Sequence, residues 1–118
     1  MSYKVFTTPD FEKSVKPIYK RQRSLKADLN KLIESLEEEP TQGIKIRENC
    51  YKIRMAITSK GRGKSGGARV FTYVKVVEEA VYLAQIIDKS DRDSISETEL
   101  NRAFDYIDKL ENPNTEEE

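Results

Sequence analysis

The sequence predicts an α+β fold: helices on one face of an antiparallel-rich sheet, with a further helix closing the chain. Two stretches near the start carry apolar residues at helical spacing, three later stretches alternate apolar and polar residues or are apolar throughout, and a last helical stretch follows. The predicted order is β-α-α-β-β-β-α. With 118 residues the chain is long enough to bury one core without disulfides or metals, and residues 1–110 are expected to form a single domain.

Residues 3–7, Tyr-Lys-Val-Phe-Thr, read as a short strand. Thr8 then caps a helix that has Pro9 in its first turn and Asp10 and Glu12 beside the positive end of its dipole. Phe11, Val15 and Ile18 form its apolar side, and Pro17 is expected to kink or end it near Lys16. The second helix opens after Ser24, a candidate N-cap. It carries Leu25, Leu29, Leu32, Ile33 and Leu36 in one stripe, and Pro40 and Gly43 stop it.

The strands follow at 50–57, 68–76 and 80–87. Side chains in a strand change face at every step, so Tyr51, Ile53, Met55 and Ile57 share one face with Val70, Thr72, Val74 and Val76. That face is expected to meet the helices. The opposite face then shows Lys52, Arg54, Arg69, Phe71, Tyr73 and Lys75. The third strand is apolar on both sides and is expected to be buried. Ser96 and Glu99 have capping-box spacing, and Leu100, Ala103, Phe104, Ile107 and Leu110 form the stripe of the last helix. Residues 111–118 read as an acidic, disordered tail.

Charge is unevenly spread. Lys plus Arg and Asp plus Glu each number 21, yet no acid occurs between Glu48 and Glu78. That window holds Lys52, Arg54, Lys60, Arg62, Lys64, Arg69 and Lys75, so it carries +7 and the remainder −7. An acid-free basic block suits a polyanion, because each neutralised phosphate releases condensed counterions. The Gly-rich loop at 60–67 lacks the spacing of a Walker phosphate loop. Phe71 and Tyr73 could stack on bases or pack on the sheet. Cys50 and Tyr51 read as packing residues.

Composition also excludes chemistry. Without histidine, no Ser-His-Asp or Cys-His nucleophile system can be built, and one cysteine leaves no ordinary zinc site. A carboxylate-only Mg²⁺ site stays open. Any proton transfer must rest on Lys, Tyr, Asp or Glu. The lone Cys50, the lack of a bilayer-length apolar run and the lack of a leader pattern lead to the expectation of a soluble, cytoplasmic protein.

Four strings carry a resemblance across residues 3 to 108. They are Thr8-Pro-Asp-Phe11, the Leu-rich helix running into Glu37-Glu-Glu-Pro-Thr-Gln-Gly43, Cys50-Tyr-Lys-Ile-Arg54, and Lys60-Gly-Arg-Gly-Lys-Ser-Gly-Gly-Ala-Arg-Val70. Together they resemble the RelE/ParE superfamily, toxins of type II toxin–antitoxin pairs, in its RelE/HigB-like branch. The resemblance implies the same β-α-α-β-β-β-α order. It also implies cleavage of mRNA on the ribosome without metal or cofactor, by attack of a ribose 2′-hydroxyl on the adjacent phosphate. The ParE branch instead poisons DNA gyrase. A cognate antitoxin, a small helical or helix-turn-helix DNA-binding protein, is the implied partner. By position, Lys52, Arg54, Arg69 and Lys89 match the catalytic cations, and Lys60, Arg62, Lys64, Phe71, Tyr73 and Lys75 are the remaining candidates for RNA contact. One departure stands out. Relatives often carry an aromatic where the last strand ends, but here Ile87 precedes Asp88 and Lys89. Ile87 cannot stack on a base, and Asp88 is expected to bring a negative charge near the phosphate.

Overall fold

The structure, a computed structural model, describes residues 2–61 and 63–110. Arg62 and the acidic 111–118 segment lie outside the described residues. Strands β1 (Lys4–Thr7), β2 (Ile44–Arg47), β3 (Cys50–Met55), β4 (Ala68–Lys75) and β5 (Ala80–Asp88) form one sheet in the order β1-β5-β4-β3-β2. Only β1 against β5 is parallel. Helices α1 (Pro9–Arg21) and α2 (Leu25–Glu38) precede β2, and α3 (Glu97–Asp108) ends the described chain.

The expected register holds. Ile53, Met55, Val70 and Val74 lie in one core with Phe11, Val15 and Ile18 of α1 and with Leu25, Leu29, Leu32 and Leu36 of α2. All nine residues of β5 are buried, as its unbroken apolar run requires. Thr8 accepts the Phe11 N–H at 3.2 Å, and Ser96 and Glu99 close a full capping box.

Four details depart from the sequence reading. Helix α1 runs through Pro17 to Arg21. Pro17 lies on the exposed side, where water can satisfy the carbonyl it leaves unpaired, while Val15 and Ile18 anchor the inner side. Ser24 stands at the N-cap of α2 without a capping bond, because its hydroxyl is engaged by Asp28 and Ser59. Strand β2 is an element the sequence reading lacks. It is an edge strand of four exposed residues, turned back on β3 through Asn49 at φ 66°, a conformation Asn tolerates. Val76 leaves the ladder and is exposed.

The largest difference concerns the second sheet face. Helix α3 packs there, opposite α1 and α2, and builds a second core in which Phe104, Ala103 and Ile107 meet Phe71, Tyr82, Ala84 and Ile87. The face predicted to be open and basic is therefore half covered. Phe104 is fully buried, stands edge-on to Tyr73 with ring centroids 6.1 Å apart, and has the Arg47 guanidinium 4.8 Å from its centre. Truncating a buried Phe costs about 3–5 kcal/mol. Phe104→Ala should lower unfolding stability in urea by that amount. A loss under about 1 kcal/mol, the scale of a surface substitution, would detach α3 from the sheet.

Candidate phosphate-binding site

The antiparallel pairing of β3 with β4 sets Arg54 directly opposite Arg69 and Lys52 opposite Phe71, and the pairing of β4 with β5 sets Ile87 on the other side of Arg69. Like charges directly opposite each other destabilise an antiparallel pair. Among the described residues, neither arginine nor Lys52 makes an ion pair. Arg69 is only 7% exposed. Its Nη1 donates to the carbonyls of Lys64 at 3.3 Å and Ala68 at 3.4 Å. Burial, then the nearby Arg54, lower its affinity for its proton, and Asp93 opposes them. The guanidinium stays charged throughout the ordinary pH range. The site thus holds cations that no carboxylate pairs directly, although the field of Asp93 reaches Arg69.

A cleft of about 290 Å³ opens beside this row. Lys52 and Arg69 form its cationic side, Phe71 and Ile87 its floor, and Asp93, Glu97 and Asn101 its rim toward α3. Lys52 also faces a wider groove of about 720 Å³ between α2 and the β2–β3 hairpin, where Arg54 and Lys64 stand. Lys52, Arg54, Lys64 and Arg69 are therefore brought together.

The other predicted residues fare differently. Lys60 is turned inward, where its ammonium donates to Gly66 O at 3.1 Å, to Ser90 Oγ at 2.8 Å and to the Asp88 carboxylate. Lys75 donates to Leu110 O at 2.9 Å and lies 3.7 Å from Glu78. Phe71 is 3% exposed beneath α3. The Tyr73 hydroxyl donates to Asp108 at 2.7 Å; burial and this carboxylate push its pKa up to about 12. Of the two readings of these rings, packing is the one the structure displays. Lys89 follows the last ladder pair, and its N–H donates to Gly67 O at 3.0 Å, at the foot of the loop that leads into Arg69.

Asp88 needs a correction. It does not face the cationic row. It points to the α1 side, where Arg21, Lys60 and Ser90 bind it. Sequence reasoning also lacked Arg47, which donates to Asn101 at 2.7 Å and lines the cleft. The alternation Ile-Lys-Ile-Arg before Glu48-Asn49 was the available signal for its strand. Among the described residues, no group of three or more His, Cys, Asp or Glu could hold a metal ion, and no helix is long and apolar enough to cross a membrane.

Fold and site together define a small α+β protein with a cleft on one sheet face in which Arg47, Lys52 and Arg69 stand with Asp93 and Glu97 but pair with neither. The family model of the RelE toxin of the RelE/RelB toxin–antitoxin system matches residues 3–117, and the chain belongs to that family. Among solved structures, a double Arg-to-Ala mutant of E. coli toxin RelE in the free state is similar, with a TM-score of 0.59 and 16% identity over 91% of this chain and 99% of that one. That likeness carries the fold alone. No curated protein matches the chain.

Asp88 offers a test of the packing behind the site. Burial works to raise its pKa, but the bonds from Lys60, Ser90 and Arg21 outweigh it and hold the carboxyl at about 2 instead of 3.8. A depressed carboxylate stabilises the fold above its unfolded pKa, and that stability is lost as pH falls through the folded value. About 2 kcal/mol should therefore disappear between about pH 4 and pH 2. Asp88→Asn should flatten acid denaturation over that interval in circular dichroism titrations.

Proposed function

We propose that this chain is the toxin of a type II toxin–antitoxin pair and acts as a metal-independent, ribosome-dependent mRNA endoribonuclease, an mRNA interferase. The observation that carries the reading is the cross-strand pair Arg54 and Arg69 beside Lys52: Lys52 lines the cleft with Arg69 and the adjoining groove with Arg54, and among the described residues none of the three makes an ion pair. In the reaction, the ribose 2′-hydroxyl attacks the adjacent phosphorus, the 5′-oxygen of the next nucleotide leaves, and a 2′,3′-cyclic phosphate results. Charge grows on the non-bridging oxygens as the phosphorane forms. Arg69 and Arg54 are suited to receive that charge, and cations fixed beforehand need no reorganisation during the step. Arginine cannot give up its proton here, so Lys52 is the residue assigned to proton transfer. Lys64 adds positive charge in the adjoining groove, and Lys89 is assigned to the site by its position after the last strand. A cognate antitoxin, small and helical or helix-turn-helix, and mRNA on the ribosome are the proposed partners.

Ile87 favours a second reading, a binding protein of the same fold that acts as a gyrase poison or as a toxin of degraded activity. It lies against Arg69, 5% exposed, and its aliphatic side chain cannot stack on a base. Base stacking contributes about 1–3 kcal/mol, so the deficit amounts to about one to two powers of ten in rate.

Primer extension on a translated message separates the readings. Wild type should cleave slowly. Arg69→Ala should lower the rate by about 10²–10³, the loss seen when one oxyanion donor is removed. Ile87→Tyr should raise it about ten- to a hundredfold. If wild type does not cleave and Ile87→Tyr restores nothing, the binding-protein reading stands. Ribosome or RNA association should weaken with salt, and Arg69→Ala should reduce that slope by about one. A salt-independent interaction would exclude the cationic cleft as the contact.

A further inference from the structure

The loop between β3 and β4 is pinned at both ends. At its start, Asp28 accepts the Thr58 N–H at 2.9 Å and the Thr58 hydroxyl at 2.6 Å, and Ser24 Oγ accepts the Ser59 N–H at 2.8 Å. At its end, Gly67 passes so close to β3 that a Cβ there would meet Met55 O at 2.1 Å. Between these points Lys60 folds beneath the loop, its side chain 10% exposed, and holds Gly66 O while Asp88 and Ser90 hold its ammonium. Two residues before Gly66, the Lys64 carbonyl accepts Arg69 Nη1 at 3.3 Å and the Gly67 N–H at 3.3 Å.

We propose that Lys60 is a positioning residue. Clamped by Asp88 and Ser90, it fixes the 63–67 segment so that the Lys64 carbonyl keeps the Arg69 guanidinium beside Arg54 and Lys52. The functional part rests on Arg69 as a phosphate ligand. The physical logic lies in how two opposed arginines can be held together. A carboxylate at Arg69 would orient it but cancel the charge that an incoming phosphate needs. A carbonyl orients it by hydrogen bonding and leaves the net charge in place. The carboxylate that secures the arrangement, Asp88, lies on the opposite sheet face and acts through Lys60.

Two experiments decide this. In ¹⁵N NMR of the full chain, the Arg69 Nε–H signal, assigned by its loss in Arg69→Lys, should shift or broaden in Lys60→Met and in Asp88→Asn. Lys60→Arg should restore it in part. An unmoved signal in folded Lys60→Met overturns the proposal. Lys60→Gln, which keeps donors for Gly66 and Ser90 without the charge, serves if Lys60→Met does not fold. The second experiment measures binding of a short single-stranded RNA with a 2′-deoxy substitution at the cleavage position. Lys60→Met and Asp88→Asn should both weaken it by about tenfold, the scale of one charged hydrogen bond. If Lys60 instead contacts RNA, Lys60→Met lowers the slope by about one and Asp88→Asn, by releasing Lys60, tightens binding. That opposite sign overturns the proposal. A wild type that neither cleaves nor binds RNA removes the nuclease reading, and the NMR signal alone then decides whether Lys60 positions Arg69.

Discussion

The pairing of β3 with β4 is the constraint on which the rest depends. Burial of Ile53, Met55, Val70 and Val74 against α1 and α2 allows only one alternation of faces. A slip of one residue would drive Arg54 and Lys52 into the apolar core and turn Ile53 and Met55 to water. Hydrophobic burial fixes the faces, and in the register observed Arg54 stands opposite Arg69. The electrostatic penalty at the site is thus imposed by the core on the far side of the sheet.

The fold tolerates that penalty by distributing its anchors. Arg69 is buried, yet it hydrogen-bonds to the carbonyls of Lys64 and Ala68, and Asp93 moderates the field without an ion pair. A fully buried carboxylate sits behind the sheet, where Asp88 collects Arg21, Lys60 and Ser90. Charge that would quench the cleft is used to tie α1, the β3–β4 loop and the end of β5 together.

Helix α3 gives the cleft its limits. By covering Phe71 and engaging Tyr73 and, beyond its end, Lys75, it withdraws half of the basic face from solvent. What remains is a compact group of cations with an apolar floor instead of a broad electropositive sheet. Arg47 joins this boundary from β2 through Asn101 and the Phe104 ring.

The sequence by itself determined the α+β class, the two-helix layer over the Ile53–Met55 face, the Thr8 and Ser96 caps, and the shared face of Lys52, Arg54 and Arg69. Each of these follows from local periodicity or spacing, which covalent geometry converts into a direction. Pro17 and Ile44–Arg47 escape a local reading because a helix held by its buried side outlasts a local breaker, and the Ile-Lys-Ile-Arg alternation is only four residues long with every residue exposed. Which of the basic residues described in the acid-free window stay free, and which become structural, is settled by tertiary contacts. Lys60 met Asp88 from 28 residues away, and Lys75 met the end of α3 from 35. Charge composition has no sense of distance, whereas an ion pair is decided by a few ångströms that only the folded chain sets.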